Sequence, residues 1–221
     1  MKKQKIFIAC DTTSLNKVKK IMSQSKTNKI KIGYKFGLEF MNSKNGRKFI
    51  SSMRNKIIFI DLKLNDTVNT MISAVKALRD LKINYLTVHI SSGLTALKAV
   101  KKISGSTKII GVTTLTSLDN QDLKLIGYNK SVKSLVSHQA KLAKKAALDA
   151  LVCSPYEVST VRKIFKKEII TPGIQMGKKN YDQKRSMEAK KVNSDWLVIG
   201  RAITARGNIK KNIQNLIEKL R

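Results

Sequence analysis

Eight short apolar, β-branched runs punctuate this chain, separated for the most part by longer stretches whose apolar residues recur every three or four positions. The runs are Lys5–Asp11, Lys29–Gly33, Lys56–Asp61, Tyr85–Ile90, Lys108–Leu115, Ala150–Ser154, Ile169–Thr171 and Trp196–Gly200. Short runs rich in Ile and Val suit strands buried on both faces of a parallel sheet. The stretches Leu15–Ser23, Thr67–Asp80, Thr95–Lys102 and Ser134–Leu148 carry the apolar stripe of helices packed on one side. Strand alternating with helix is the pattern of βα units. Eight units favour closure into a (β/α)8 TIM barrel of parallel strands over an open doubly wound sheet. No Pro/Gly/Ser-rich linker or shift of composition divides the 221 residues, so residues 1–221 are expected to form a single α/β domain, long enough to bury a full core without staples.

Cys10 and Cys153 lie inside apolar runs rather than at any metal-ligand spacing, which suggests buried free thiols and a reducing cytoplasm. The apolar run after Met1-Lys2-Lys3-Gln4-Lys5 reaches only from Ile6 to Cys10, too short for a signal-peptide core or a membrane span. Forty-five Lys and Arg stand against fourteen Asp and Glu, a formal charge of +31. Such a balance raises nucleic-acid binding as a hypothesis. The lysines, however, are spread over nearly every expected helix, and one Trp, five Tyr and six Phe provide no interleaved aromatic stripe. Solvated helix faces explain the pattern better than nucleic-acid binding as the main role. The charge could also steer an anionic substrate.

No Gly-x-Gly-x-x-Gly follows the first strand and no Gly-Lys-Ser/Thr loop occurs, which leaves dinucleotide and nucleoside triphosphate sites without support. In a barrel, functional residues gather at the C-terminal ends of the strands. Asp11, Lys31, Asp61, Lys63, His89, Thr116, Ser117, Gln183 and Arg201 fall in or just beyond the expected strands. Side chains alternate along a strand, so Asp61 and Lys63 should face one site. Asp66 falls past that strand, near the next helix start. Taken alone, the trio also reads as an ordinary ion pair followed by a helix cap. His89 reads as structural or as a supporting residue, and Phe36, Phe40 and Met41 as core or pocket lining. With His89 and His138 the only histidines, and no Cys/His/carboxylate cluster at ligand spacing, no metal site is expected.

The segment Asp61-Leu-Lys-Leu-Asn-Asp-Thr-Val-Asn-Thr70 resembles the signature of the orotidine 5′-monophosphate decarboxylase family, an Asp-x-Lys-x-x-Asp core before an Asn-Thr helix start. Further resemblances follow in order: Ala9-Cys10-Asp11, Lys29-Ile-Lys31-Ile-Gly33, Thr87-Val-His89, Val112-Thr-Thr-Leu-Thr-Ser117, Cys153-Ser-Pro-Tyr-Glu157, Thr171-Pro-Gly-Ile174, Asp182-Gln-Lys-Arg185 and Ile199-Gly-Arg201-Ala-Ile-Thr204. The resemblance implies decarboxylation of orotidine 5′-monophosphate to uridine 5′-monophosphate without metal or cofactor, in a homodimer with shared sites. It implies a charge array of Lys31, Asp61, Lys63 and Asp66, with Asp66 serving the neighbouring subunit and Lys63 as the proton donor. It further assigns ribose hydroxyls to Asp11 and Lys31, a reach into the partner's site to Thr67 and Thr70, and the pyrimidine amide to Thr116. Gln183, Arg201 and backbone N–H groups near Gly173 and Gly200 would hold the 5′-phosphate, and Gln175–Lys184 would be the lid.

One departure is Gln175, where many bacterial relatives carry arginine after Pro-Gly-Ile. Lys178, Lys179 and Lys184 could supply the missing cation, although solvated loop charges are the simpler reading. The competing enzyme class is the Mg²⁺-dependent sugar-phosphate decarboxylases and aldolases of the same superfamily, which share Asp-x-Lys-x-x-Asp but place a glutamate at the end of strand two. Lys31 is the expected discriminator. The rival from another class is a basic nucleic-acid-binding protein on a barrel scaffold.

Overall fold

The computed structural model describes residues 5–175, 185, 187–205 and 207–220. In chain order the elements are β1 (Lys5–Ala9), α1 (Leu15–Gln24), β2 (Lys31–Gly37), α2 (Leu38–Met41), α3 (Gly46–Ser52), β3 (Ile58–Leu64), α4 (Val68–Ala77), β4 (Tyr85–His89), α5 (Gly93–Ile103), β5 (Lys108–Val112), α6 (Asn120–Leu125) and α7 (Val132–Lys145). They continue with β6 (Ala150–Val152), α8 (Val158–Ile164), β7 (Glu168–Thr171), β8 (Ile174–Gln175), β9 (Met187–Glu188), β10 (Trp196–Ile199), α9 (Arg201–Thr204) and α10 (Ile209–Lys219). Strands β1 to β7 and β10 close a parallel barrel in which β1 pairs with both β2 and β10, while β8 and β9 form a separate two-stranded pair. The expected eight-stranded barrel is therefore present, and each of the eight runs overlaps one of its strands.

Local chemistry explains where the helices start. Ser14 accepts a hydrogen bond from the Lys17 N–H ahead of α1, Ser131 does the same for Ser134 ahead of α7, and Asp119 and Asp122 form a capping box on α6. Each cap satisfies backbone donors that the first helical turn leaves without partners. Strand alternation then divides the core in two. Ile6 and Ile8 belong to the large cluster shared with the helices, whereas Phe7 and Ala9 belong to a smaller cluster with Phe59, Tyr85, Ile110, Ala150, Ile170, Trp196 and Val198. The smaller cluster fills the barrel, as the layered interior of this architecture requires. Phe7 stacks on Trp196 at a centroid distance of 4.1 Å and meets Phe59 edge-on at 5.0 Å. Gly33 pairs in register with Phe7, and a Cβ there would lie 2.5 Å from the Phe7 ring. Only glycine lets β2 pass this aromatic layer.

The N-terminal mouth of the barrel is closed by Glu168. One carboxylate oxygen accepts from Lys5 Nζ at 3.1 Å and Trp196 Nε1 at 3.2 Å, the other from the Tyr85 hydroxyl and Lys108 Nζ, both at 2.9 Å. Burial alone would raise the Glu168 pKa, but these four donors outweigh it and hold it at about 2. Phe36 and Phe40 are fully buried in the outer core, and Met41 packs against it, so the core reading holds for them. Both cysteines are free and buried.

Candidate active site

A pocket of about 380 Å³ opens at the C-terminal ends of the barrel strands, within the usual range for small-ligand sites. Asp61 and Lys63 on β3 and Asp11 beyond β1 line it, together with Thr116 and Ser117 after β5, Gly173 after β7, and Gly200 and Arg201 after β10.

The charged centre differs from expectation in one residue. Lys31 is the first residue of β2, pairs in register with Lys5 and is exposed at the N-terminal mouth. The lysine in the pocket is Lys35. The chain repeats Lys-x-Gly, as Lys31-Ile-Gly33 and Lys35-Phe-Gly37, and only the second copy reaches the site. Four residues of strand span about 13 Å, so the two lysines share a side of β2 but stand at opposite ends of the barrel, with Gly33 and the Phe7 ring between them. The expected strand, Lys29–Gly33, ended too early, because the aromatic Tyr34 and Phe36 carry β2 on to Gly37. The assignment of site roles to Lys31 is therefore corrected to Lys35.

Lys35 Nζ lies 3.1 Å from Asp11 Oδ1 and 3.4 Å from Asp61 Oδ2, and Lys63 Nζ lies 3.0 Å from the same Asp61 oxygen. Thr87 on β4 donates its hydroxyl to Asp61 Oδ1 at 3.0 Å and accepts the Lys63 backbone N–H at 2.9 Å. The Asp61 side chain is only 12% exposed. Burial works against its charge, but Lys35, Lys63 and the hydrogen bonds from Lys63 and Thr87 prevail, and its pKa falls below the ordinary value. For Lys35, burial would favour the neutral amine; Asp61 and Asp11 overcome this and raise its pKa. Lys35 and Asp61 are therefore both held charged. Gly37 leaves room for this cluster, since a Cβ there would sit 3.3 Å from Asp11 Oδ1 and 3.5 Å from Lys35 Nζ.

Alternation alone does not place Lys63. Pairing of β3 with β4 shifts register between Ile60 and Leu64, and Lys63 adopts a left-handed backbone with φ of 49°. A bulge thus re-aims the ammonium at Asp61, at a backbone cost of about 1–2 kcal/mol. Asp66, Thr67 and Thr70 lie beyond the bulge, exposed and outside the pocket lining. Asp66 Oδ1 accepts the Thr67 N–H, and the Thr67 and Thr70 hydroxyls are 3.0 Å apart. His89 stands nearby: burial and then the Lys63 charge lower its pKa, and its Nδ1 pairs with the Ser91 hydroxyl at 2.5 Å. That geometry fits a supporting role.

The backbone of Gln175 belongs to β8, while its side chain, together with Gln183, Lys178, Lys179 and Lys184, lies outside the described residues. Arg185 is described. It donates to Glu157 Oε1 at 2.7 Å and to the carbonyls of Thr114 and Leu115 at 3.1 and 2.8 Å, and Glu157 in turn accepts from the Ser154 hydroxyl. This buried pair braces the strand end that carries Leu115 and Thr116 into the pocket, and the sequence reading gave Arg185 no role. Among the described residues no group of three or more His, Cys, Asp or Glu side chains could hold a metal ion.

A closed (β/α)8 barrel with an alternating Lys–Asp–Lys array at its C-terminal mouth defines a barrel enzyme that acts on a small anionic ligand. The sequence profile of the orotidine 5′-phosphate decarboxylase / HUMPS family matches residues 4–216, and the chain belongs to that family. It is 40% identical to an orotidine 5′-phosphate decarboxylase from Wolbachia pipientis subsp. Culex pipiens (strain wPip), over 97% of this chain and 98% of that protein. It is 32% identical to the orotidine 5′-phosphate decarboxylase of Carboxydothermus hydrogenoformans, over 98% and 96% of the two chains. The crystal structure of orotidine 5′-phosphate decarboxylase from Lactobacillus acidophilus superposes with a TM-score of 0.81 at 28% identity, covering 98% of this chain and 99% of that one.

Proposed function

We propose that this protein decarboxylates orotidine 5′-monophosphate to uridine 5′-monophosphate and CO₂, the last step of de novo pyrimidine nucleotide synthesis, without metal or cofactor. The observation that carries this reading is the Lys35–Asp61–Lys63 array in the pocket of a chain whose relatives bear that activity in their names. Loss of CO₂ from C6 leaves an electron pair with no cofactor to take it up, so the site itself must stabilise the carbanion. The Lys63 ammonium, ordered by the bulge and by Asp61, stabilises that charge and then gives C6 its proton. Asp61, held ionised, stands against the departing carboxylate. Lys35 keeps Asp61 charged and, with Asp11, meets the ribose hydroxyls. Thr116 meets the pyrimidine amide. Arg201, Gln183 and the backbone N–H groups near Gly173 and Gly200 hold the phosphate, whose binding energy orders the reacting end of the substrate.

Asp66, Thr67 and Thr70 complete the site of a second subunit in a homodimer. Their exposure beside the pocket mouth supports this, since none has a partner role within its own pocket. A cytoplasmic location suits a chain with two free buried thiols and, among the described residues, no helix long and apolar enough to cross a membrane. The metal-dependent alternative is disfavoured by Lys35, an ammonium where a divalent cation would need an anionic ligand. Purified protein should lower the absorbance of orotidine 5′-monophosphate as uridine 5′-monophosphate accumulates, at the same rate with excess EDTA. No turnover, or turnover abolished by EDTA and restored by Mg²⁺, would overturn the proposal.

A further inference from the structure

The barrel redistributes the lysines that look dispersed in the sequence. Because all eight barrel strands are parallel, every helix-to-strand connection lies on the N-terminal face, opposite the pocket. Lys29, Lys56, Lys82, Lys102, Lys145 and Lys166 each occupy a different one of these connections or the helical turn that leads into it, and all six are exposed. None forms an ion pair among the described residues. The acids of this face are largely taken: Asp80 pairs with Arg47, Asp149 with Lys101, Asp195 with Arg162, and Glu168 with Lys5 and Lys108. Glu218, near the end of α10, is the exposed exception. The cations are thus left uncompensated around a ring. Cations at helix C-termini gain a few tenths of a kcal/mol from the helix dipole, but that applies only to Lys102 and Lys145, not to lysines placed in the loops.

The chemistry of the face narrows its partner. Among the described residues the large exposed apolar ones, Leu38, Leu125, Ile126, Tyr128 and Tyr156, all follow β2, β5 or β6 and so lie on the pocket side. Among its described residues the N-terminal face therefore offers no apolar wedge for a lipid bilayer and no aromatic platform for unstacked bases. It offers spaced ammonium groups on a broad surface, which suit regularly repeated phosphates. We propose that this face binds the phosphodiester backbone of a nucleic-acid duplex, without reading sequence, while the pocket on the other face stays open to substrate. This adds a second surface to the enzyme and does not depend on the identity of its substrate.

Fluorescence anisotropy with a labelled 20-base-pair DNA duplex tests it. At about 0.15 M salt the full chain should bind with a Kd near the micromolar range, and the logarithm of affinity should fall against the logarithm of salt with a slope of about −5, for roughly five or six neutralised phosphates. Changing the six named lysines to glutamate should weaken binding at least about a hundredfold. The same charge change at Lys17, Lys44, Lys124, Lys130, Lys133 and Lys211 should cost less than about a tenth of that loss. Both variants should retain decarboxylase activity, which shows that they fold, and saturating duplex should leave the rate of the unaltered protein unchanged. The proposal is overturned by absence of binding at that salt concentration or by equal losses in the two variants. Inhibition of turnover by the duplex would also overturn it, as would binding to vesicles rich in anionic lipid but not to the duplex.

Discussion

Lys35 shows how a single residue decides what a site can do. Its ammonium bridges two carboxylates, and its charge is what keeps the buried Asp61 ionised. Changing Lys35 to Ala should therefore lower kcat/KM by at least about a hundredfold, the scale of losing one buried charge contact at a reacting centre. Changing Lys31 to Ala should leave it within about twofold of the unaltered protein, because that side chain is exposed at the other end of the barrel. Initial rates of absorbance change distinguish the two. Arg185 provides a second residue-scale test. Its removal leaves Glu157 buried without its cation, so Arg185→Ala should cost about 3–5 kcal/mol in chemical denaturation, and adding Glu157→Gln should recover part of that loss. Sequence alone located Asp11, Asp61, Lys63 and Thr116 at the pocket, because each ends or follows a clear apolar run. It selected Lys31 because the Lys29–Gly33 run reads as the whole of strand two, whereas Tyr34 and Phe36 carry the strand on to the second Lys-x-Gly copy at Lys35. Arg185 and Thr87 stand in the matching motifs without a role, because their partners are distant in the chain.

Among the elements, β3 carries the most function and departs furthest from ideal geometry. Periodicity correctly put Asp61 and Lys63 in one place, yet the register shift and the left-handed Lys63 backbone that bring it about leave no trace in an apolar pattern. The opposite end of the barrel is built for stability instead. Glu168 titrates near 2 in the folded chain against an ordinary 4.5. A depressed carboxylate stabilises the fold fully above its unfolded pKa, and that contribution fades as pH falls from about 4.5 towards 2. Glu168→Gln should accordingly lower stability at pH 7 by about 2 kcal/mol, a Tm decrease of roughly 4–8 °C, and the gap to the unaltered protein should close as pH approaches 2. Thermal melts across that range provide the check. A gap that stays constant with pH would assign the effect to packing rather than to charge.

At the scale of the whole molecule, the barrel was legible because eight β-branched runs recur along the chain, and strand ends shifted by no more than a few residues. What the sequence could not convey was which lysines share a face, which is settled only when parallel closure sends every helix-to-strand connection the same way. The central claim is that each catalytic centre joins Lys63 of one chain to Asp66 of another to decarboxylate orotidine 5′-monophosphate. The direct measurement is turnover by mixed subunits. Lys63→Ala and Asp66→Asn proteins should each be nearly inactive alone. After unfolding and refolding together in equal amounts, random pairing should restore about a quarter of the unaltered activity, because half of the dimers then hold one intact centre. A refolded mixture that forms dimers but is no more active than its parents would contradict the account.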